Sequence, residues 1–171
     1  MTATSTLQHG YCLCRTIEFT IPDKPLRSFF CYCRDCQRSA GGPCQAVAAF
    51  NADDVSLIDK RQSSVGSQEH NFAPFNSVLP NSPSLSTYTI PGSETASGQS
   101  KPKVFCNVCG CTIATIPAKW GGKVVVMRPS LLERGLEAIP PTQEWFIKDR
   151  PKFVASCSGT ERFDTIPDGA G

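Results

Sequence analysis

Apolar residues fall in short runs, many at alternate positions, and turn formers separate them, a pattern that predicts many short strands and few helices. Residues 11–21 predict a first strand, with Leu13, Ile17, Phe19 and Ile21 on one face and Cys12 and Cys14 on the other. Residues 26–33 predict a second strand that runs into a turn at Arg34, Asp35 and Cys36, followed by Ala40, Gly41, Gly42 and Pro43. Further strands are expected at 45–50, 55–58, 85–90, 123–127, 144–148 and 152–155, with a turn at 51–54. Residues 104–116 read as a cysteine knuckle leading into a strand, and 131–136 as one short helix with Ser130 as N-cap and Gly135 near its end. Residues 91–103 suit an exposed connection, and the mostly polar stretch 60–83 has no clear period and reads as a loop or insertion. The class expected is all-β with minor helix. Residues 11–163 are expected to form a single domain, with 1–10 and 164–171 as tails.

Composition narrows the function. The chain has 171 residues and 40% hydrophobic content, enough for one buried core. Seventeen basic against fifteen acidic residues leave +2, too weak and too dispersed for nucleic acid, so a small-molecule or protein partner is expected. The 13 glycines and 14 prolines agree with a turn-rich β protein. No apolar run approaches the roughly 20 residues that span a bilayer, and the start MTATSTLQHG has no basic and apolar leader, so a cytoplasmic protein without membrane attachment is expected. In a reducing compartment the ten closely spaced cysteines point to metal rather than disulfides.

The cysteines form two constellations. Cys106-x-x-Cys109-Gly110 has knuckle spacing, in which backbone amides turn towards sulfur and the glycine takes a positive φ. A structural zinc needs four ligands, and Cys12-x-Cys14 is the natural second pair. Cys31-x-Cys33-x-x-Cys36 offers three thiolates from a strand and the following turn, a tripod that leaves a fourth position for water or substrate unless Cys44, Cys111 or Cys157 closes it. Tyr32, Arg34 and Arg38 flank the tripod as candidate substrate contacts, Tyr32 also as a proton shuttle. The aromatic and basic run that contains Phe146 and Lys148 is a candidate pocket wall. His9 and His70 read as surface residues, which excludes a multi-histidine site and a Ser-His-Asp triad.

Taken in order, Gly10-x-Cys12-x-Cys14, Cys31-x-Cys33-x-x-Cys36-x-x-Ser39-x-Gly41 and Phe105-Cys106-x-x-Cys109-Gly110 resemble the glutathione-dependent formaldehyde-activating enzyme family, which includes centromere protein V. The resemblance runs from about residue 10 to about 163. It implies a β-tent fold with two zinc ions, a structural one on Cys12, Cys14, Cys106 and Cys109 and a catalytic one on Cys31, Cys33 and Cys36. It also implies addition of the glutathione thiol to formaldehyde, a carbon-sulfur lyase reaction read in reverse. Tyr32 stands where the family often has His, and Cys111 where Thr or Ser usually follows the knuckle.

Three functions are therefore in view. The first is a zinc-dependent carbon-sulfur lyase acting on a thiol adduct of an aldehyde, with glutathione as the thiol implied. The others are a zinc-dependent tailoring lyase, hydrolase or dehydratase on another small metabolite, and a non-catalytic binding module in which both metals are structural.

Overall fold

The structure, a computed structural model, describes residues 6–62 and 71–167. Strand β1 (Leu7–Tyr11) pairs antiparallel with β2 (Ile17–Pro22), and the chain reverses between them. The Cys12 N–H donates to the Ile17 carbonyl at 3.0 Å and the Arg15 N–H to the Cys12 carbonyl at 2.8 Å, with Arg15 at φ +60°. This corrects two expectations. Cys12 and Cys14 lie in a turn, so Leu13 is exposed rather than on a buried face, and residues 7–10 form a strand rather than a tail. The turn escapes a reading of hydrophobic periods because backbone hydrogen bonds, not apolar burial, hold it.

The remaining strands are β3 (Arg27–Cys31), β4 (Gln45–Asn51), β5 (Ser56–Asp59), β6 (Ala73–Pro74), β7 (Leu85–Ile90), β8 (Lys101–Cys106), β9 (Thr112–Thr115), β10 (Val124–Met127), β11 (Gln143–Trp145) and β12 (Glu161–Phe163). Two short helices, α1 (Arg34–Ala40) and α2 (Phe75–Val78), complete the framework with several 3₁₀ turns. A four-stranded sheet runs β1-β2-β5-β6, and an eight-stranded sheet runs β12-β11-β3-β4-β10-β9-β8-β7. The protein is mainly β, as expected. β11 lies parallel to both β3 and β12, and the other pairings are antiparallel.

The large sheet buries both faces, as the pleat of β4 and β10 shows. Ala48, Phe50, Val125 and Met127 enter one core with Ile17, Phe19 and Leu57 of the small sheet. Val47, Ala49 and Val126, which alternate with them, enter a second core with Phe29, Cys31 and Trp145. The second core is the one that carries the tripod.

Several segments depart from the pattern read in the sequence. The turn at 34–36 is the start of helix α1, which ends at Gly41 in the left-handed conformation at φ +64°, where its N–H closes on the Gln37 carbonyl. Residues 131–136 are not one helix: 3₁₀ turns at Pro129–Leu131 and Gly135–Glu137 flank an extended Leu132 that bridges to Gly10. The expected strand at 144–148 breaks at Phe146, whose φ is +60°, and 152–155 forms no strand. β12 went unread because it has only three residues, two of them charged. Within 60–83, Phe75 and Val78 of α2 are buried, whereas 63–70, including His70, lie outside the described residues. Ile166, in the expected carboxy-terminal tail, packs against the second core.

Gly10 is the closest approach between β1 and its neighbours. A Cβ there would stand 2.4 Å from the Phe19 ring and 2.9 Å from the Leu131 carbonyl, and Phe19 is fully buried and cannot yield. Gly10→Ala is expected to destabilise the protein by about 1–3 kcal/mol through overpacking. Urea unfolding checks this, and an unchanged midpoint would show that the contact relaxes freely.

Candidate functional site

The turn between β1 and β2 brings Cys12 and Cys14 against the turn between β8 and β9, which carries Cys106 and Cys109. The four sulfurs lie within 4.8 Å of one another, with Cys12 to Cys14 at 3.5 Å and Cys14 to Cys106 at 3.7 Å. Four thiolates about 2.3 Å from a tetrahedral ion stand about 3.8 Å apart, so the spacing fits a closed metal site. The backbone also prepares the sulfurs. Ile17 N–H donates to Cys12 Sγ at 3.4 Å, and the knuckle amides of Val108 and Cys109 approach Cys106. Gly110, at φ +74°, returns its N–H to the Cys106 carbonyl at 2.8 Å. Thr16 Oγ1 lies 3.2 Å from Cys14 Sγ, and this contact with the Thr16 amide lowers the Cys14 thiol to about 6.

The tripod is assembled within one short segment. Cys31 ends β3, Cys33 is the N-cap residue of α1 and Cys36 sits in its first turn. Their sulfurs also lie within 4.8 Å of one another, Cys31 to Cys33 at 3.4 Å. Without a cation the three cannot all ionise: hydrogen bonds from Cys31 and Cys36 hold Cys33 low, whereas Cys31 is raised by the same contacts and by burial. Gln37 ties the segment together, its amide donating to the Tyr32 carbonyl at 2.7 Å and to the Asp149 carbonyl at 3.0 Å. No fourth Cys, His, Asp or Glu among the described residues joins the cluster. Cys44 packs in the second core, Cys111 stands beside the four-cysteine site, and the Cys157 amide faces Glu144.

The three sulfurs lie in a cleft on the second core, walled by Phe29, Trp120, Trp145 and Phe146. Phe29 and Trp145 stack at 3.6 Å. Lys101 and Arg128 also line the cleft. Lys101 Nζ is 2.8 Å from Asp35 Oδ2. Burial alone would lower this ammonium, but Asp35 and the tripod outweigh it and raise the group, so Lys101 keeps its proton.

Of the residues that the sequence put forward, the structure gathers Cys31, Cys33, Cys36 and Phe146 around the cleft. Tyr32, Arg34, Arg38 and Lys148 do not line it. Tyr32 is buried and its hydroxyl donates to Glu144 at 2.6 Å, while Arg34 donates to Gln37 at 2.7 Å. His9 bonds Glu18 at 3.2 Å and Glu133 at 2.9 Å on the surface. Lys101, Arg128 and Trp120 were missed. Each comes from a turn or strand far from the tripod in sequence, and the one local signal is Arg128, a charge placed directly after the apolar strand β10.

Behind the cleft, Glu144 is wholly buried and joins four groups. It accepts from Tyr32 and from Thr160 at 3.0 Å, and Arg150 and Arg162 stand 3.5 and 3.6 Å away. Burial pushes this carboxyl up, but the hydrogen bonds from Tyr32, the Cys157 amide and Thr160, with the Arg150 charge, hold it below its ordinary value.

The glutathione-dependent formaldehyde-activating enzyme family model matches residues 7–74, less than half of the chain. The resemblance read from the cysteine motifs thus holds over the segment that carries Cys12, Cys14 and the whole tripod. A crystal structure of a Rhodobacter sphaeroides protein from a structural-genomics programme is similar at 15% identity, over 73% of this chain and 87% of that one, with a TM-score of 0.46. No curated protein gives a match. No helix among the described residues is long and apolar enough to cross a membrane.

Glu144→Gln is expected to lower stability at neutral pH by about 1–3 kcal/mol, because charge-assisted hydrogen bonds are lost. A carboxyl held low in the folded state stabilises above its unfolded value and loses that contribution as pH falls through the folded one. The difference between wild type and variant should therefore be full at pH 7 and shrink below the ordinary carboxyl value of 4.5. Urea unfolding of both proteins from pH 7 to pH 3 measures it, and a difference independent of pH would exclude the ionised form.

Proposed function

We propose that the protein is a zinc-dependent carbon-sulfur lyase that makes and breaks the bond between a thiol, glutathione or one like it, and the carbonyl carbon of a small aldehyde such as formaldehyde. The observation that carries this reading is the tripod of Cys31, Cys33 and Cys36, which lines a cleft and gains no fourth side-chain ligand from the described residues. The family match over the same residues supports it. The four-cysteine site, closed by its own ligand count, is the structural zinc in this reading.

Cys31, Cys33 and Cys36 would hold the zinc, which would supply a Lewis acid that favours the ionised form of a substrate thiol near neutral pH. The chain's own groups do the rest. The stacked Phe29 and Trp145, with Phe146 and Trp120, shape an apolar wall that keeps the small aldehyde beside the sulfur, so that bond formation becomes effectively unimolecular. In the forward direction the thiol gives its proton to water, the sulfur pair forms the carbon-sulfur bond, the carbonyl π pair moves to oxygen, and that oxygen takes a proton back from water. Lys101, kept charged by Asp35, supplies positive charge in the cleft as the oxygen gains its negative charge. Cleavage is the reverse. Tyr32 has no part in this proton transfer, because its hydroxyl is buried against Glu144 and burial with that bond raises it well above an ordinary phenol.

Exchange spectroscopy by NMR on glutathione and ¹³C-formaldehyde tests the proposal. Zinc-loaded protein is expected to accelerate formation and breakdown of S-hydroxymethylglutathione, and Cys33→Ser to lose at least about 100-fold of that acceleration while keeping one zinc per chain. No acceleration with any of a panel of thiols and aldehydes, or equal turnover by Cys33→Ser, would exclude it.

A further inference from the structure

Arg128 is the buried cation of the cleft. Its side chain is 4% exposed, and no described carboxylate comes within ion-pair distance of it. One terminal nitrogen donates to the Val126 carbonyl at 3.0 Å and the other to Thr115 Oγ1 at 2.5 Å, while Nε is buried without an acceptor. A buried charge that lacks a partner costs several kcal/mol, and a chain retains such an arrangement only where something compensates it. The cationic neighbour Lys101 differs in this respect, since Asp35 neutralises it.

What surrounds Arg128 in place of a carboxylate is the tripod. Arg128 lines the same cleft as Cys31, Cys33 and Cys36. A divalent ion on three thiolates leaves one net negative charge, which a single guanidinium balances. The pleat explains how the charge reaches the site: Val126 belongs to the second core and Met127 to the first, so position 128 returns to the tripod side of the sheet.

We infer that Arg128 is a positioning residue for the second metal site, a fixed counter-charge that lets three thiolates gather around a divalent ion. The inference builds on the metal reading of the tripod given above. It concerns affinity for the ion, and so does not depend on which substrate is turned over. Arg128 also lowers the negative charge that an incoming thiolate meets, which favours an anionic sulfur over neutral water in the open position. Its hydrogen bonds to Val126 and Thr115 hold the guanidinium in one place, inside the cleft that it shares with the tripod.

Cobalt(II) competition against a chelator, read from the thiolate-to-cobalt charge-transfer band, tests this with Arg128→Met and Arg128→Lys. Wild type is expected to take two ions. Arg128→Met should weaken the second by about 10- to 100-fold and leave the first unchanged, and Arg128→Lys should recover part of the loss. Thermal unfolding of the metal-free proteins separates this from a folding defect: a buried, uncompensated arginine stabilises little, so Arg128→Met should melt no lower than wild type. Two ions bound by Arg128→Met with wild-type affinities would overturn the inference and leave the lyase reading standing. Equal weakening at both sites, or a lowered metal-free melting temperature, would make Arg128 a purely structural residue and overturn it too. A wild type that binds one ion only would overturn both readings.

Discussion

The period-two pleat of β4 and β10 is the constraint on which the rest depends. Because successive side chains point to opposite faces, two adjacent strands supply both cores: Ala48, Phe50, Val125 and Met127 on one side, Val47, Ala49 and Val126 on the other. A slip of one residue would exchange the two sets, so a sheet buried on both faces has a strongly specified register. That register fixes Cys31 as well, because β3 pairs with β4 from Arg27 opposite Ala49 to Cys31 opposite Gln45. The tripod is thereby placed on the face of the large sheet that the small sheet does not cover.

The four-cysteine site answers a different need. It joins a turn of the small sheet to a turn of the large one, between residues far apart in the chain, and its buried members Cys12 and Cys106 belong to the core that the two sheets share. Where metal binding requires ligands that only the folded chain brings together, the binding free energy adds to folding. A metal ion on the four cysteines would clasp the sheets together, while the tripod lies wholly within residues 31–36 and crosses no long loop. In the proposed reading one site stabilises the fold and the other uses it.

Much of this was legible in the sequence, and the failures have physical causes. Cysteine spacing revealed both clusters because ligand geometry is local: a knuckle or a three-residue tripod fits few arrangements. Strand β7 was readable from its alternation, and β5 and β10 as short apolar runs bounded by turn formers. What escaped was held by backbone hydrogen bonds or by distant partners. The turn that carries Cys12 and Cys14 has strand-like composition but is closed by main-chain bonds, and Phe146 takes a positive φ that no pattern of apolar residues announces. Arg34 and Arg38 looked functional because they flank the tripod in sequence, yet neither lines the cleft, and the cations that do come from β8, the 3₁₀ turn Ala118–Trp120 and the end of β10.

Tyr32 illustrates how a residue between two clustered thiols can matter without lining the cleft. Its side chain does not line the cleft that Cys31 and Cys33 enter, its hydroxyl is held by Glu144, its N–H donates to the Trp145 carbonyl at 3.0 Å and its carbonyl accepts from Gln37. Backbone and side chain are therefore fixed at the one point where a rotation would separate the two sulfurs. Glu144 is in turn anchored by Thr160 and by Arg150 and Arg162, so the carboxy-terminal strand β12 belongs to the support of the tripod segment rather than to a dispensable tail. A histidine at this position would present a smaller ring with two nitrogens, and only a partner shifted towards it would keep the bond to Glu144. The tyrosine hydroxyl and the buried glutamate hold each other, and the rigidity they give the tripod segment is what a three-cysteine metal site would need most, because no fourth ligand side chain among the described residues joins the cluster.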